Sequence, residues 1–543
     1  MASSTPSYRR VARAPWVALA LLALLALGMV PAAARAEQFI SYFEPSACPV
    51  EFPEEVTVDC GYVVVPESHN NFDGTVLRLA VAILRSPNPE KAPDPVFYLE
   101  GGPGGSPLVN GALYAELFSL TLLNFRDVVL IDQRGTGYSQ PGLFCTPLAT
   151  EMIGHMMPAG VVPGDQPPPQ VVAAAQEVAA CLQNLANAGS KLQYYNTAEN
   201  SADLEDIRRA LGYGQINLFG TSYGTELALT MLRYRPESVR SVVLDGNVPP
   251  QVKRPARAIA AFNESLGALI AACNGDAACS GAFGDIGADF EAVTARLNAN
   301  PVVLPIIDPD TEQIIDYLPI TGVDFNFVVF QLMYVTELMP IIPAFISLTN
   351  DGQYDLLSLI VSLLIQPGNP RSIADGMYFA TTCNDDITGL DVDYFVRVRD
   401  QNRRTAALAE SVVANEVFLD ICSSVELTAS YPDANNTVSS SVPAYLINGE
   451  FDPITPPSLA ALARSTLSNS YYVQYPRGGH VPSFSSPCLF VSVALFINDP
   501  SRAPDTSCIA EEAVPFVTPE TAEATVFELE RSGKLAELLL RIQ

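Results

Sequence analysis

A mostly parallel β-sheet with helices on both faces, interrupted by a large and mainly helical insertion, is the fold class that the sequence predicts. Three observations carry it. Short runs at 95–99, 127–131, 216–219 and 239–244 are apolar at almost every position, the pattern of strands covered on both faces rather than one. Helical stretches separate them, and the one carrying Leu204, Ile207 and Leu211 keeps a 3.6-residue period, with Thr197 as its candidate cap. The rhythm then stops after Pro249 and resumes with apolar runs at 444–449 and 471–475.

Taken in order, residues 37–60 read as an irregular entry. The runs 60–66 and 76–84 read as a β-hairpin, because Asn70-Asn71-Phe72-Asp73-Gly74 between them has turn chemistry. The run 95–99 delivers Glu100-Gly101-Gly102-Pro103-Gly104-Gly105-Ser106, whose glycines let the backbone approach a ligand closely. As a phosphate loop this segment fails, since no Gly-Lys-Ser/Thr ending follows. The run 127–131 leads into Asp132-Gln133-Arg134-Gly135-Thr136-Gly137-Tyr138-Ser139. From 249 to 441 the segments are mainly helical, with apolar stretches at 325–335 and 356–365 that are too short to cross a bilayer. They read as the core of a cap, or as the lining of an apolar substrate pocket. The tail over 519–543 reads as closing helices. The expected organisation is a leader over 1–36, a first core segment over 37–248, the helical cap over 249–441 and a second core segment over 442–543.

The leader is expected because Arg9, Arg10 and Arg13 precede an apolar run from Trp16 to Val30 and the small-residue ending Ala34-Arg35-Ala36. Cleavage before Glu37 makes the protein secreted or periplasmic, with no stable membrane insertion afterwards. It also removes four arginines and no acid, which moves the formal net charge from −29 to −33. Such a balance excludes nucleic acid as a partner. All ten cysteines follow the leader, an even number that implies disulfides in an exported chain. Sequential pairing is expected, 48 with 60, 145 with 181, 273 with 279, 383 with 422 and 488 with 508, because each loop is then short. With three histidines and no Cys-x-x-Cys, no metal site is expected.

The chemistry centres on Gly220-Thr221-Ser222-Tyr223-Gly224, which follows a buried strand and precedes a run of good helix formers. Gly-x-Ser-x-Gly in that context is a nucleophile elbow: a tight strand-to-helix turn that exposes the serine Oγ. Acyl transfer needs this serine, an imidazole to activate it, a carboxylate to hold the imidazole, and N–H donors for the oxyanion. Of the three histidines, His480 follows a strand and two glycines, whereas His69 sits in the early turn and His155 in a Met-rich loop. Asp452 is the expected acid, ahead of Asp245. Serine, acid and histidine then stand in the α/β-hydrolase order. The oxyanion donors are expected at Tyr223, at the start of the helix, and at Gly102 in the glycine loop.

The sequence resembles the exported tripeptidyl and prolyl aminopeptidase branch of the α/β-hydrolases. The resemblance rests on Cys60-Gly61-Tyr62-Val63-Val64-Val65-Pro66, Gly101-Gly102-Pro103-Gly104-Gly105-Ser106, the loop from Asp132 to Ser139, Gly220-Thr221-Ser222-Tyr223-Gly224-Thr225, Cys383-Asn384-Asp385, Asp452-Pro453-Ile454-Thr455-Pro456 and Gly478-Gly479-His480. It implies an α/β-hydrolase fold with a helical cap, peptide substrates and release of residues or short peptides from a free N-terminus, with no cofactor. Prolyl aminopeptidases usually carry His before Gly-Gly-Pro-Gly; here the residue is Glu100, which argues against strict prolyl specificity. A carboxylate must hold the substrate ammonium group, and Glu226, Asp385, Asp386 and Glu100 are the candidates. The alternatives are a carboxylesterase of the same fold and a non-catalytic binding protein on a hydrolase scaffold.

Overall fold

The computed structural model describes residues 1, 2, 39–145, 169–308, 311, 313–365, 369–410, 415–427, 431–512, 514–518, 534 and 535. The chain divides into two compact units, Met1–Ile40 and Ser41–Gln543, and the second holds everything that follows. The leader expected over 1–36, His155 and the closing helices expected over 519–543 lie outside the described residues, apart from residues 1, 2, 534 and 535.

The strands are β1 (Tyr42–Pro45), β2 (Val58–Pro66), β3 (Val76–Leu84), β4 (Val96–Leu99), β5 (Val128–Ile131), β6 (Ile216–Thr221), β7 (Val239–Asp245), β8 (Val302–Ile307), β9 (Ile314–Ile320), β10 (Ala444–Gly449) and β11 (Ser470–Tyr475). Nine of them form one mixed sheet in the order β1-β2-β3-β5-β4-β6-β7-β10-β11. Pairings from β5 through β11 are parallel, and β1, β2 and β3 extend the sheet antiparallel. The fold is that of the α/β-hydrolases.

The unbroken apolar runs follow from the two-residue period of a strand. In β4, Val96 and Tyr98 enter one core while Phe97 and Leu99 enter the other; in β5, Val128 and Leu130 part from Val129 and Ile131 in the same way. Each side chain so buried contributes about 1.5–3 kcal/mol, so a strand between two cores gains on both faces. The helices that matter below are α1 (Gly111–Ser119), α2 (Thr197–Ala210), α3 (Tyr223–Tyr234), α4 (Arg257–Gly275) and α5 (Asp375–Asp386).

Three local expectations are corrected. The entry segment is not wholly irregular, because Tyr42–Pro45 pairs antiparallel with β2 as an edge strand. Asn196, not Thr197, caps α2: its side chain accepts from the Glu199 N–H, and Thr197 is already helical. Between β7 and β10 the chain is mainly helical, yet it also holds β8 and β9, an antiparallel hairpin separate from the main sheet. All five disulfides pair sequentially, joining Cys48 to Cys60, Cys145 to Cys181, Cys273 to Cys279, Cys383 to Cys422 and Cys488 to Cys508. Five such bonds are the chemistry of an extracytoplasmic protein.

The loop after β5 is held by one buried cation. Arg134 is fully buried and makes a two-pronged pair with Asp203 of α2 at 2.7 and 2.8 Å, while also donating to the carbonyls of Glu67 and Tyr194. Such an arginine is tolerable because its donors find acceptors in fixed geometry. His69 joins the same group, with Nδ1 2.5 Å from Glu199 and Nε2 3.3 Å from Asp206.

Burial opposes charge on His69, but the bonds to Asp206 and Glu199 outweigh it and lift its pKa from 6.5 to about 9. A group with a raised folded value stabilises fully below its unfolded value and loses that contribution as pH rises through the folded one. His69→Gln should therefore lower Tm more at about pH 6 than at about pH 9.5. Equal losses in thermal melts at the two pH values would show that the charge contributes nothing.

Candidate active site

The elbow is built by crowding. Ser222 caps α3 at φ 52° and ψ −122°, a conformation costly for any residue with a side chain and held here by its surroundings. Its N–H donates to the Asp245 carbonyl at 2.9 Å, and its carbonyl accepts from the N–H and hydroxyl of Thr225 at 2.9 and 2.7 Å. Thr225 Oγ1 in turn accepts from the Val248 N–H. Gly224 must be glycine, since a Cβ there would lie 2.0 Å from the Leu99 carbonyl of β4. The result is a serine at the C-terminal edge of the sheet and the N-terminus of a helix.

His480 follows β11. Its Nδ1 lies 2.8 Å from Asp452 Oδ2 and 3.1 Å from Thr455 Oγ1, and Thr455 itself donates to Asp452 Oδ2 at 2.5 Å. The other carboxylate oxygen of Asp452 accepts from the N–H groups of Ile454 and Thr455 at 3.0 and 2.8 Å. Asp452 is fully buried and every acceptor on it is engaged, which places the imidazole proton on Nδ1 and leaves Nε2 as the basic nitrogen. Asp245 stands beside the site, but its side chain bonds another partner: Oδ2 accepts from the Ser483 N–H, and burial pushes its pKa up to about 7.

The histidine loop is also gripped from the insertion. The His480 N–H donates to the Tyr334 carbonyl at 2.8 Å, the Gly479 N–H donates to Thr336 Oγ1 at 3.0 Å, and the Tyr334 ring meets the imidazole edge-on at 5.1 Å. Sequence reasoning missed Thr455, Tyr334 and Thr336. Thr455 stood in the quoted Asp-Pro-Ile-Thr-Pro segment, but nothing in the local pattern marks Tyr334 or Thr336.

The glycine loop is clamped from behind. Asp132 is buried and accepts from the Ser106 hydroxyl at 2.7 Å and the Tyr138 N–H at 2.7 Å, and burial pushes its pKa up to about 7. Gln133 donates to the Glu100 carbonyl at 2.9 Å. The Asp-Gln-Arg segment thus fixes both ends of the loop that holds Gly101 and Gly102.

A cavity of about 820 Å³ opens onto Ser222, Tyr223, Gly102 and His480 together. Tyr223 is the first residue of α3, and the opening N–H groups of a helix have no internal partner. The acid candidates separate. Glu100 lines the cavity, with Oε1 accepting from the Gly101 N–H at 2.9 Å and Oε2 from the Tyr114 hydroxyl at 2.6 Å. Glu226, Asp385 and Asp386 are buried and gather on Arg254, at 3.1, 3.5 and 2.6 Å. Burial is the largest influence on all three and raises each, Glu226 to about 8 and Asp385 to about 6, while Arg254 pulls the other way.

Two family matches agree with this architecture. The alpha/beta hydrolase fold family matches residues 94–267, and the family described as TAP-like protein matches 407–508. The chain is an α/β-hydrolase with a TAP-like segment. It is 31% identical over 230 residues to the tripeptidyl aminopeptidase of Streptomyces lividans, covering 41% of each chain. It is 26% identical over 264 residues to the serine protease Hip1 of Mycobacterium tuberculosis, covering 47% of this chain and 48% of that protein. The matched segment thus spans less than half the length of either relative. The crystal structure of the proline iminopeptidase of Mycobacterium smegmatis aligns at 15% identity with a TM-score of 0.37, over 81% of this chain and 98% of that one.

Gly101 packs directly on the serine, since a Cβ there would sit 2.8 Å from Ser222 Cβ and 3.2 Å from the Thr221 carbonyl. Gly101→Ala should therefore displace Ser222 and slow its labelling by a fluorophosphonate about 10- to 100-fold. A labelling rate equal to that of the unaltered protein would show that the loop yields without disturbing the serine.

Proposed function

We propose that this protein is a serine hydrolase acting as an aminopeptidase outside the cytoplasm, releasing residues or short peptides from the free N-terminus of peptides. The observation that carries the reading is the Asp452–His480 pair at 2.8 Å on the same cavity as the elbow serine. Ser222 Oγ attacks the scissile carbonyl and His480 Nε2 takes its proton, while Asp452 stabilises the imidazolium that forms. The N–H groups of Tyr223 and Gly102 receive the oxyanion. His480 then protonates the leaving amine, water enters, and the acyl-enzyme on Ser222 is hydrolysed with His480 as base again.

Distant relation to a tripeptidyl aminopeptidase and a serine protease favours peptides over esters as substrates. Glu100 supports the requirement for a free amine, being the acid among the four candidates that lines the cavity. Glu226, Asp385 and Asp386 are occupied by Arg254. The cavity volume suits a short peptide end rather than a folded chain. The five disulfides support the export expected from residues 1–36, to the periplasm or beyond the cell.

The test is hydrolysis of one chromogenic tripeptide, with its N-terminus free or acetylated, beside a short-chain ester. Only the free-amine peptide should turn over, and Ser222→Ala or His480→Ala should cut kcat by about 10⁴-fold or more without lowering Tm. Ester turnover with neither peptide cut would move the protein to the esterases. Glu100→Gln should raise KM for the free-amine peptide about 10- to 100-fold, the worth of one charge-assisted hydrogen bond. An unchanged KM would remove Glu100 from that role.

A further inference from the structure

Two arginines of one short segment line the cavity, and they differ in what surrounds them. Arg254 is neutralised by charge: Glu226, Asp385 and Asp386 pair with it, its Nε donating to Asp386, and its guanidinium lies over the Tyr223 ring at 5.2 Å. Burial works against its charge, yet those acids hold its pKa well above the ordinary value. Arg257, three residues on and at the first position of α4, has no such shell. Its one side-chain hydrogen bond is a long one, 3.5 Å from Nη2 to Ser458 Oγ, and its Nε is buried with no partner. No carboxylate pairs with it among the described residues. Burial draws its pKa down, against a weaker pull from Glu264 and Tyr394.

A chain with formal net charge −29 has acids to spare for its arginines, and it pairs Arg254 three times over. Leaving a guanidinium half-buried, with its Nε buried and without an acceptor, costs free energy unless a ligand supplies the anion. Guanidinium presents its donors as a planar fork that matches a carboxylate, and the same cavity holds Ser222 and His480.

We propose that Arg257 forms a subsite for a carboxylate of the substrate within the cavity that holds Ser222. The inference rests on the aminopeptidase reading for the identity of the substrate, and it assigns that substrate an anionic group as well as an amine. Glu100 and Arg257 then give the cavity one anionic and one cationic contact, which selects peptides short enough to present both ends, or peptides with an acidic side chain. The two sources share one chemistry and separate by experiment.

Unaltered protein is given a tetrapeptide as free acid and as C-terminal amide, and a chromogenic tripeptide carrying Glu or Gln at each position in turn. Cleavage is followed by mass spectrometry and absorbance. A preference of tenfold or more in kcat/KM for the free acid, expressed in KM, assigns the site to the terminal carboxylate; the same preference for Glu over Gln assigns it to a side chain. Arg257→Gln should erase whichever preference appears, and Arg257→Lys should restore part of it. Peptides cleaved with neither preference would overturn the subsite while leaving the aminopeptidase standing.

A second arm needs no turnover. Glutarate is titrated calorimetrically into unaltered protein and into Arg257→Gln, with thermal melts to establish that the variant folds. Binding at least tenfold weaker in the variant supports the subsite even if no peptide is cut, which would sink only the aminopeptidase reading. Equal affinity, or no binding to either, overturns the subsite. Should Arg257→Gln fail to fold, the acid-against-amide and Glu-against-Gln comparisons on unaltered protein decide alone.

Discussion

The geometry of the site depends on how closely three backbone segments meet at Ser222. The β4 carbonyl of Leu99 lies where a Cβ of residue 224 would be, the loop after β4 touches Ser222 through Gly101, and β7 holds the Ser222 N–H through the Asp245 carbonyl. A serine at φ 52° does not hold itself there. The adjacent parallel strands supply the restraint, because β4, β6 and β7 end at one edge in register, with Gly220 opposite Leu99 and Leu244. The strain is balanced by a sheet buried on both faces, whose apolar side chains divide between two cores.

Around this junction, buried polar groups do the positioning that apolar packing cannot. Asp132 and Gln133 fix the glycine loop, Arg134 ties the segment carrying them to α2, and Asp452 with Thr455 orients His480. Each makes directional bonds in a low-dielectric interior, where a satisfied network is rigid and an unsatisfied one is costly. The insertion takes part as well: the Tyr334 carbonyl and the Thr336 hydroxyl hold consecutive N–H groups at Gly479 and His480. The helical region between β7 and β10 therefore shapes the base of the site as well as its mouth.

What could be read in advance follows from this division. The parallel strands were legible because burial on both faces writes itself as an unbroken apolar run, and Ser222, Asp452 and His480 because each follows such a run with a turn-forming residue beside it. Only three histidines competed for the base. The disulfides were legible as sequential pairs because each closes a short loop. By contrast β1 is an edge strand of four residues with no buried member, so its sequence carries no hydrophobic signal. The hairpin of β8 and β9 escaped notice because β9 is exposed over most of its length. Tyr334 and Thr336 act on the histidine loop through a carbonyl and a small hydroxyl, and the sequence separation of about 145 residues hides the contact. Glu226 and Asp385 looked like free carboxylates in the sequence; their attachment to Arg254 depends on the fold bringing α3, α5 and residue 254 together.

That attachment has a consequence for electrostatics at the nucleophile. Glu226 sits in the first turn of α3, one turn from Ser222, where a full negative charge would oppose the developing oxyanion at the same helix end. Arg254 over the Tyr223 ring offsets it, and burial further favours the protonated carboxyl, with Glu226 lifted to about 8. The three acids and Arg254 are then best regarded as one buried group whose charge stays low, rather than as a reservoir of negative potential beside the serine. An acid-rich chain is compatible with oxyanion chemistry on these terms, because its carboxylates nearest the elbow are either paired, protonated or, in Glu100, turned toward the Gly101 N–H and the Tyr114 hydroxyl. Arg257, by contrast, lines the same cavity with no carboxylate paired to it among the described residues, which is the ground for placing an anionic substrate group there.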